Sequence, residues 1–277
     1  MSVASGETII GSLSGDDSGE TDSGPGLVLL HGLTFDRRTW APALEALRVL
    51  QPTRRVLALD LPGHGGSPGW PSYPMDAVIG AIHDSVVAAG LDAPVMVGHS
   101  LGAVVASVYA TRYPTRGVVN VDQPLDVAPF MRLLQSVREP LEGPGFPMVW
   151  ARMVESFHLE RLSPADRQKI EEESDPRQDL VVGYWREGLD TPPETFTQMV
   201  IETMKQGRER GRPYTIVAGE PLEVAEAEWL DRMFPEAAVV VLPGSGHFPH
   251  IAYPEQFAEI LATTSTWANR PVAAGSA

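Results

Sequence analysis

The pentapeptide Gly-His-Ser-Leu-Gly at residues 98–102 is the feature that most constrains how this chain can fold. It stands between an apolar, strand-like run at 94–97 and a helix-like run at 103–112. A serine on a sharp strand-to-helix turn is held clear of the sheet, and glycines two positions to either side leave room for neighbouring backbone. The pattern therefore predicts that Ser100 is a nucleophile. The first amides of the following helix would face the oxyanion that forms when Ser100 attacks a carbonyl.

Apolar runs of four to six residues recur along the chain, and each ends in glycine, proline or a polar residue. These runs lie at 27–30, 56–59, 95–97, 118–121, 214–218 and 237–242. Segments with helical periodicity separate several of them, at 39–50, 76–89 and 103–112. Continuous apolar strands that alternate with helices are typical of a parallel sheet covered on both faces. The sequence thus predicts an α/β fold with a mostly parallel central sheet and helices on both sides.

One long segment, residues 124–212, interrupts that alternation. It contains no convincing strand, but it has helix-like pieces near 128–138, 148–158, 164–173 and 193–205. We expect residues 1–123 and 213–277 to form the core, with 124–212 inserted as a helical cap over the carboxyl edge of the sheet. Residues 14–24 are too polar and glycine-rich to pack and are expected to form a mobile loop. Residues 269–277 are expected to be a frayed tail.

The charge and composition exclude several classes of function. The net charge is −15 and no run of lysine or arginine exceeds two residues, which argues against nucleic acid or an anionic membrane as a partner. The chain has no cysteine, so a thiol nucleophile and a thiolate metal site are both excluded. There is no His-Glu-x-x-His spacing, and we expect neither a metal nor an organic cofactor. Residues 1–7 lack the features of a secretory leader, and no run of eighteen apolar residues occurs, so we expect a cytoplasmic protein.

A second loop at a predicted strand end can supply an oxyanion hole. The dipeptide His-Gly at 31–32 follows the strand at 27–30. The glycine allows the backbone to bend so that the amide of Leu33 can face Ser100. Together with the amide of Leu101, it would provide two hydrogen-bond donors for the developing negative charge.

His247 fits the role of general base better than the other six histidines. It follows the last predicted strand, has a glycine before it and comes after the nucleophile in the chain. By strand alternation, His99 is expected to point away from the nucleophile. His158 and His250 are further candidates for side chains that line the substrate pocket.

Four stretches of this sequence together carry a resemblance to a known family. They are residues 31–33, 59–67, 98–102 and 243–249. Through them the chain resembles the α/β-hydrolase fold superfamily, in its capped and cofactor-free form, over nearly its full length. The resemblance implies a serine, histidine and acid triad that performs acyl transfer in two steps. A serine at position 100 argues against the haloalkane dehalogenases and epoxide hydrolases of this fold, which use aspartate there.

The third member of the triad departs from the family pattern. In most relatives the acid follows the seventh strand, where this chain has Leu222. Leucine cannot stabilise an imidazolium, so either Glu220 or Glu223 has replaced the acid or it comes from another strand. Asp122 is the better candidate, because it closes the strand next to the nucleophile strand. Zearalenone-lactonase-like members of the fold place the acid there, and residues 121–124 resemble their corresponding stretch.

The inserted segment is rich in aromatic and methionine side chains, which suits an apolar pocket over the nucleophile. Trp150, Met153 and Trp185 are its candidate substrate-binding residues. The sequence therefore predicts a serine esterase or lactonase that acts on a small apolar ester or lactone. Assembly into a homo-oligomer is compatible with the sequence. Two alternatives remain: carbon–carbon bond hydrolysis or perhydrolysis with the same triad, and a non-catalytic small-molecule receptor that retains the serine turn.

Overall fold

A single eight-stranded sheet organises the residues that the computed structural model describes, which are 8–20 and 24–269. Its strands are β1 (Ile9–Ile10), β2 (Leu13–Ser18), β3 (Leu27–Leu30), β4 (Val56–Leu59), β5 (Val95–His99), β6 (Gly117–Val121), β7 (Tyr214–Ala218) and β8 (Ala238–Val241). The strand order is β1-β2-β4-β3-β5-β6-β7-β8. Strands β3 to β8 run parallel, whereas β2 pairs antiparallel with β1 and β4. The predicted α/β fold with a mostly parallel sheet is confirmed.

Helices cover both faces of this sheet and fill the long connection between β6 and β7. They are α1 (Ala41–Leu50), α2 (Met75–Ala88), α3 (Leu101–Arg112), α4 (Ala128–Ser136), α5 (Arg138–Glu142), α6 (Phe146–Glu155), α7 (Pro164–Glu173), α8 (Gln178–Asp190), α9 (Pro193–Glu209), α10 (Val224–Met233), α11 (Pro249–Ala252) and α12 (Pro254–Thr263). Short 3-10 turns occur at Arg37–Trp40, Leu159–Arg161 and Thr264–Asn269. Within the described residues, no helix is both long and apolar enough to cross a membrane.

The apolar strands are continuous because each strand contributes to two separate hydrophobic layers. Side chains alternate between the faces of a strand, so Leu27 and Leu29 of β3 face α1 and α12 on one side. Val28 and Leu30 face α2 and α3 on the other. All four side chains are fully buried, which is what a parallel sheet covered on both faces requires.

The expectation of a mobile loop over residues 14–24 is wrong for its first part. Residues up to Ser18 form β2, which completes the sheet beside β4. The strand forms despite its polar sequence because backbone pairing holds it and ion pairs neutralise its charge: Asp17 contacts Arg55 at 2.7 Å. Residues 21–23 of the predicted loop lie outside the described residues, as do 270–277 of the predicted tail.

The carboxyl ends of the parallel strands meet at one edge of the sheet. The register pairs His99 with Val121, and Val121 with Val217. Ser100 follows β5 and Asp122 follows β6, so both residues leave the same edge from neighbouring strands. Helices α4 to α9 occupy residues 128–209 of the predicted insertion. The sequence analysis missed α8, whose two glycines and β-branched and aromatic residues obscure a helical pattern.

Candidate active site

Ser100 occupies a backbone conformation that only a tightly packed turn can maintain. Its φ is 51° and its ψ is −121°, and its amide donates a hydrogen bond of 3.1 Å to the carbonyl of Val121. Such a conformation is strained for a residue with a Cβ and is typical of functional sites. A Cβ at Gly98 would overlap the carbonyl of Gly102, and one at Gly102 would overlap the carbonyl of Leu30. The two glycines of the pentapeptide are therefore required by close backbone contacts.

His247 and Asp122 form a direct hydrogen bond. The Nδ1 atom of His247 lies 2.7 Å from Oδ2 of Asp122, and Oδ1 of the same carboxylate accepts a hydrogen bond of 2.7 Å from the amide of Gly219. Because the carboxylate accepts a hydrogen bond from the protonated Nδ1, the Nε2 atom of His247 is free to act as a base. Ser100 and His247 line one cavity, although their side chains are not hydrogen-bonded to each other in the described structure. Such bonds are often long without substrate and shorten when it binds.

The two alternative acids do not hydrogen-bond the histidine. Glu220 forms an ion pair with Arg161 and accepts a hydrogen bond of 3.2 Å from the amide of Gly244. Glu223 is an exposed residue that precedes α10. Leu222, at the position where most relatives have the acid, packs half-buried against the hydrophobic core. Asp122 is thus the carboxylate that the fold brings to His247.

Asn120 holds the turn that carries Asp122, and sequence reasoning did not identify it. Its Nδ2 donates a hydrogen bond of 2.8 Å to the carbonyl of Gln123, and its Oδ1 accepts one of 3.1 Å from the amide of the same residue. These two bonds span Asp122, whose φ of 52° needs such support. Asn120 is fully buried in an otherwise apolar strand, and that polar interruption was the signal available in the sequence.

The histidine loop is fixed from two sides by residues that were not predicted to act there. The carbonyl of Phe157 accepts a hydrogen bond of 3.0 Å from the amide of His247. The Phe157 ring also stacks on the imidazole, with centroids 4.9 Å apart and an interplanar angle of 20°. His99 Nε2 donates a bond of 2.7 Å to the carbonyl of His247. Burial holds the pKa of His99 well below its ordinary value, so this histidine stays neutral.

The loop after β3 presents a peptide group suited to an oxyanion hole. His31 Nδ1 donates a hydrogen bond of 2.8 Å to the carbonyl of Gly32, and His31 Nε2 accepts one of 2.9 Å from the amide of Leu61. Because a peptide is planar, a fixed Gly32 carbonyl also fixes the direction of the Leu33 amide. Within the described residues, the amides of Leu33 and Leu101 have no hydrogen-bond acceptor, and both residues line the same cavity as Ser100.

The cavity beside Ser100 has a volume of about 330 Å³ and mostly apolar walls. Trp150, Met153 and Trp185, the predicted substrate-binding residues, all line it. Further aromatic and methionine residues of the insertion line it as well: Phe130, Met131, Phe157, Tyr184 and Phe196. Two others lie elsewhere. Phe146 is buried in the core, whereas Met148 is exposed to solvent. Ser100, His247 and the residues of the two unpaired amides therefore line one apolar cavity, and Asp122 is hydrogen-bonded to His247 beside it.

Comparisons with known proteins agree with this architecture. A model of the alpha/beta hydrolase family matches residues 27–260. Over 256 residues the chain is 28% identical to an sn-1-specific diacylglycerol lipase of Mus musculus, a match that covers 84% of this chain and 78% of the relative.

Two solved structures share the fold at lower sequence identity. One is a protein described as recognising and cleaving the ring of the Pseudomonas quinolone signal, with a TM-score of 0.75, 20% identity and coverage of 92% and 96% of the two chains. The other, Est816, is described as an N-acyl homoserine lactone degrading enzyme, with a TM-score of 0.71, 19% identity and coverage of 91% and 96%. At these identities the likeness concerns the fold.

Proposed function

Because this chain belongs to the alpha/beta hydrolase family, we propose that it is a serine hydrolase that cleaves a hydrophobic carboxylic ester or lactone through an acyl-enzyme. The observation that carries the proposal is the 2.7 Å bond between His247 and Asp122 at the cavity that Ser100 lines. That bond fixes the imidazole tautomer with a basic Nε2 atom, which a serine nucleophile needs. The strained turn at Ser100 supports the same role.

The proposed reaction has two steps. In the first, Nε2 of His247 takes the hydroxyl proton of Ser100 while Oγ bonds to the carbonyl carbon. The tetrahedral intermediate then collapses, and the leaving alkoxide departs with the proton from His247. In the second step a water molecule gives its proton to His247 and attacks the acyl carbon, and Ser100 leaves with that proton. Asp122 stays ionised and stabilises the imidazolium in both steps.

The amides of Leu33 and Leu101 serve as the oxyanion hole in this proposal. Neither amide has an internal acceptor among the described residues, and both belong to residues beside Ser100 at the cavity. Loss of one such donor typically costs about 3 kcal/mol of transition-state stabilisation. The apolar walls favour a hydrophobic carbonyl compound over a strongly hydrated one. The similar proteins described as a diacylglycerol lipase and as an N-acyl homoserine lactone degrading enzyme are named for an ester and a lactone.

Labelling with a fluorophosphonate tests the proposal. We expect one adduct on the intact protein, no adduct on Ser100→Ala, and little or none on His247→Ala, together with saturable hydrolysis of apolar esters. Absence of an adduct on well-folded wild-type protein would remove the serine-hydrolase proposal. Tight ligand binding without turnover would then favour a receptor.

Carbon–carbon bond cleavage, including ring opening, is a second candidate, and a specific observation favours it. His247 Nε2 is not hydrogen-bonded to Ser100 in the described structure, so it is free to take a proton from a water molecule that adds to a ring carbonyl. The same atom then returns that proton to the carbon that leaves when the carbon–carbon bond breaks. The aromatic walls of the cavity also suit a flat ring. In that case His247→Ala would abolish cleavage of a cyclic diketone, whereas Ser100→Ala would retain much of it. Ester hydrolysis predicts that both substitutions abolish activity.

A further inference from the structure

The candidate active-site cavity has aromatic walls and charged lining groups of one sign. Eight aromatic residues line it: Phe35, Tyr73, Phe130, Trp150, Phe157, Tyr184, Trp185 and Phe196. Several of these rings pack against one another, and Trp185 lies 5.4 Å from Phe130 and 6.3 Å from Trp150 between centroids. Among the described residues that line the cavity, no lysine or arginine occurs, and the carboxylates are Asp126 and Glu187.

Neither carboxylate is neutralised by a cation. Glu187 is an exposed residue of α8, and its side chain takes part in no ion pair or hydrogen bond within the described residues. Asp126 accepts a single bond of 3.1 Å, from the amide of Ala128, through one of its two oxygens. The neighbouring cation on α8, Arg186, is directed elsewhere, since it pairs with Glu142 at 2.6 Å. The cavity thus presents uncompensated negative charge next to aromatic side chains.

We propose that this cavity selects a hydrophobic ester that carries a positively charged ammonium group and discriminates against a substrate with a carboxylate. Aromatic faces attract cations through the ring quadrupole, and an unpaired carboxylate adds a direct Coulombic attraction. The same carboxylates repel an anion, and the net charge of −15 strengthens that repulsion at low ionic strength. This inference rests on the proposed function, because it assigns a substrate class to the same site.

Three thioesters of equal size provide the test. They are butyrylthiocholine, its neutral isostere S-(3,3-dimethylbutyl) thiobutyrate and the carboxylate S-(3-carboxypropyl) thiobutyrate. The released thiol can be measured by a thiol reagent without background, because the protein has no cysteine. We expect kcat/KM at low salt to be roughly tenfold higher for the cationic ester than for its isostere, and lowest for the carboxylate. The cationic advantage should shrink as salt is added, since Glu187 is exposed.

The substitution Glu187→Gln tests whether Glu187 causes the preference for the cationic ester. We expect the cationic-to-neutral ratio of kcat/KM to fall to about threefold, which is the share left to the aromatic rings and Asp126. Glu194→Gln is the matched control, because it makes the same change of charge at an exposed position of α9 that does not line the cavity. The control should retain the wild-type ratio. A ratio near one in the wild-type protein, or an equal fall in both variants, would overturn the inference while ester hydrolysis itself stood.

Binding separates this inference from the proposed function. If the protein neither labels with fluorophosphonate nor cleaves a thioester, the proposed function fails, but the charge selection can still be measured. Trp150 and Trp185 line the cavity, so their fluorescence reports occupancy by choline or by 3,3-dimethyl-1-butanol. Tighter binding of choline, weakened by Glu187→Gln, would support the selection. Equal affinity for the two alcohols would overturn it.

Discussion

At the scale of single residues, the proposed acid of the triad depends on a backbone conformation that it could not hold unaided. Asp122 has a positive φ and is spanned by the two hydrogen bonds between Asn120 and Gln123. Its carboxylate is also fixed by the amide of Gly219. Oδ2 of Asp122, which accepts the hydrogen bond from His247, is therefore held in position before any substrate binds. Preorganisation of this kind is what electrostatic catalysis requires.

Replacement of the acid should affect activity far more than replacement of the nearby glutamates. Asp122→Asn would leave the shape intact but favour the wrong imidazole tautomer, so we expect kcat to fall by a factor on the order of 10⁴. Glu220→Gln and Glu223→Gln should remain near wild type, because neither side chain bonds to His247. Steady-state kinetics on a cleaved ester distinguish the three variants. A large loss in Glu223→Gln with a normal Asp122→Asn would place the acid after β7.

The sequence was sufficient to nominate Ser100 and His247 because local patterns surround each of them. The supporting residues could not be found in this way. Phe157 bonds to an amide ninety residues later in the chain, and Asn120 acts through a turn whose conformation is not readable from residue types. The nomination of Asp122 depended on a resemblance together with the absence of an acid at Leu222. Local signals thus nominated the candidate reacting groups, whereas the residues that orient them depend on tertiary contacts.

At the scale of elements, the junction of β5 and α3 tolerates no side chain at its glycines. In Gly102→Ala the added methyl would overlap the carbonyl of Leu30, so we expect a loss of several kcal/mol in unfolding free energy, or failure to fold. Gly80→Ala is the matched control, because a Cβ at this helical position meets no atom within 4 Å. It should stabilise the protein by about 0.5–1 kcal/mol. Thermal unfolding of both variants measures the contrast, and similar melting temperatures would contradict it.

Two of the elements that the sequence failed to predict, β2 and α8, share a physical reason. Strand β2 is polar, and its stability comes from backbone pairing with β4 and from ion pairs with distant arginines. Helix α8 contains Gly183 and Gly188, which lie where a Cβ would crowd Tyr73 and Met131. In both cases packing determined the structure against the local propensity. The buried parallel strands were predictable because a strand that is covered on both faces appears in the sequence as a short, uninterrupted apolar run.

At the scale of the whole molecule, buried histidines make stability depend on pH. Burial lowers the pKa of His250 to about 3 and keeps those of His64 and His99 well below their ordinary value of 6.5. Below pH 6.5 the unfolded chain takes up protons that the folded protein does not bind, so stability falls as the pH falls. The loss for His250 between pH 6.5 and pH 5 is about 2 kcal/mol.

Denaturant unfolding at a series of pH values tests this linkage. His250→Phe should reduce the slope of unfolding free energy against pH by about one proton between pH 6.5 and pH 4. Phenylalanine suits the site, because both ring nitrogens of His250 lack a hydrogen-bond partner among the described residues and its neighbours are aromatic. His158→Asn is the control, since that side chain is about half exposed. Equal slopes in wild type and His250→Phe would contradict the prediction.

In the proposed mechanism, the candidate reacting groups and most of the cavity wall come from different parts of the chain, with one exception. Ser100, Asp122 and His247 all leave the ends of core strands, whereas most of the aromatic cavity wall comes from the helices between β6 and β7. After gene duplication, substitutions in these helices could therefore change the cavity wall without altering Ser100, Asp122 or His247. The exception is Phe157, whose carbonyl and ring hold the histidine loop from within the insertion. An insertion taken from another protein that lacked this contact would change the cavity wall but leave the loop of His247 less well held. We therefore expect the insertion and the histidine loop to change together in evolution.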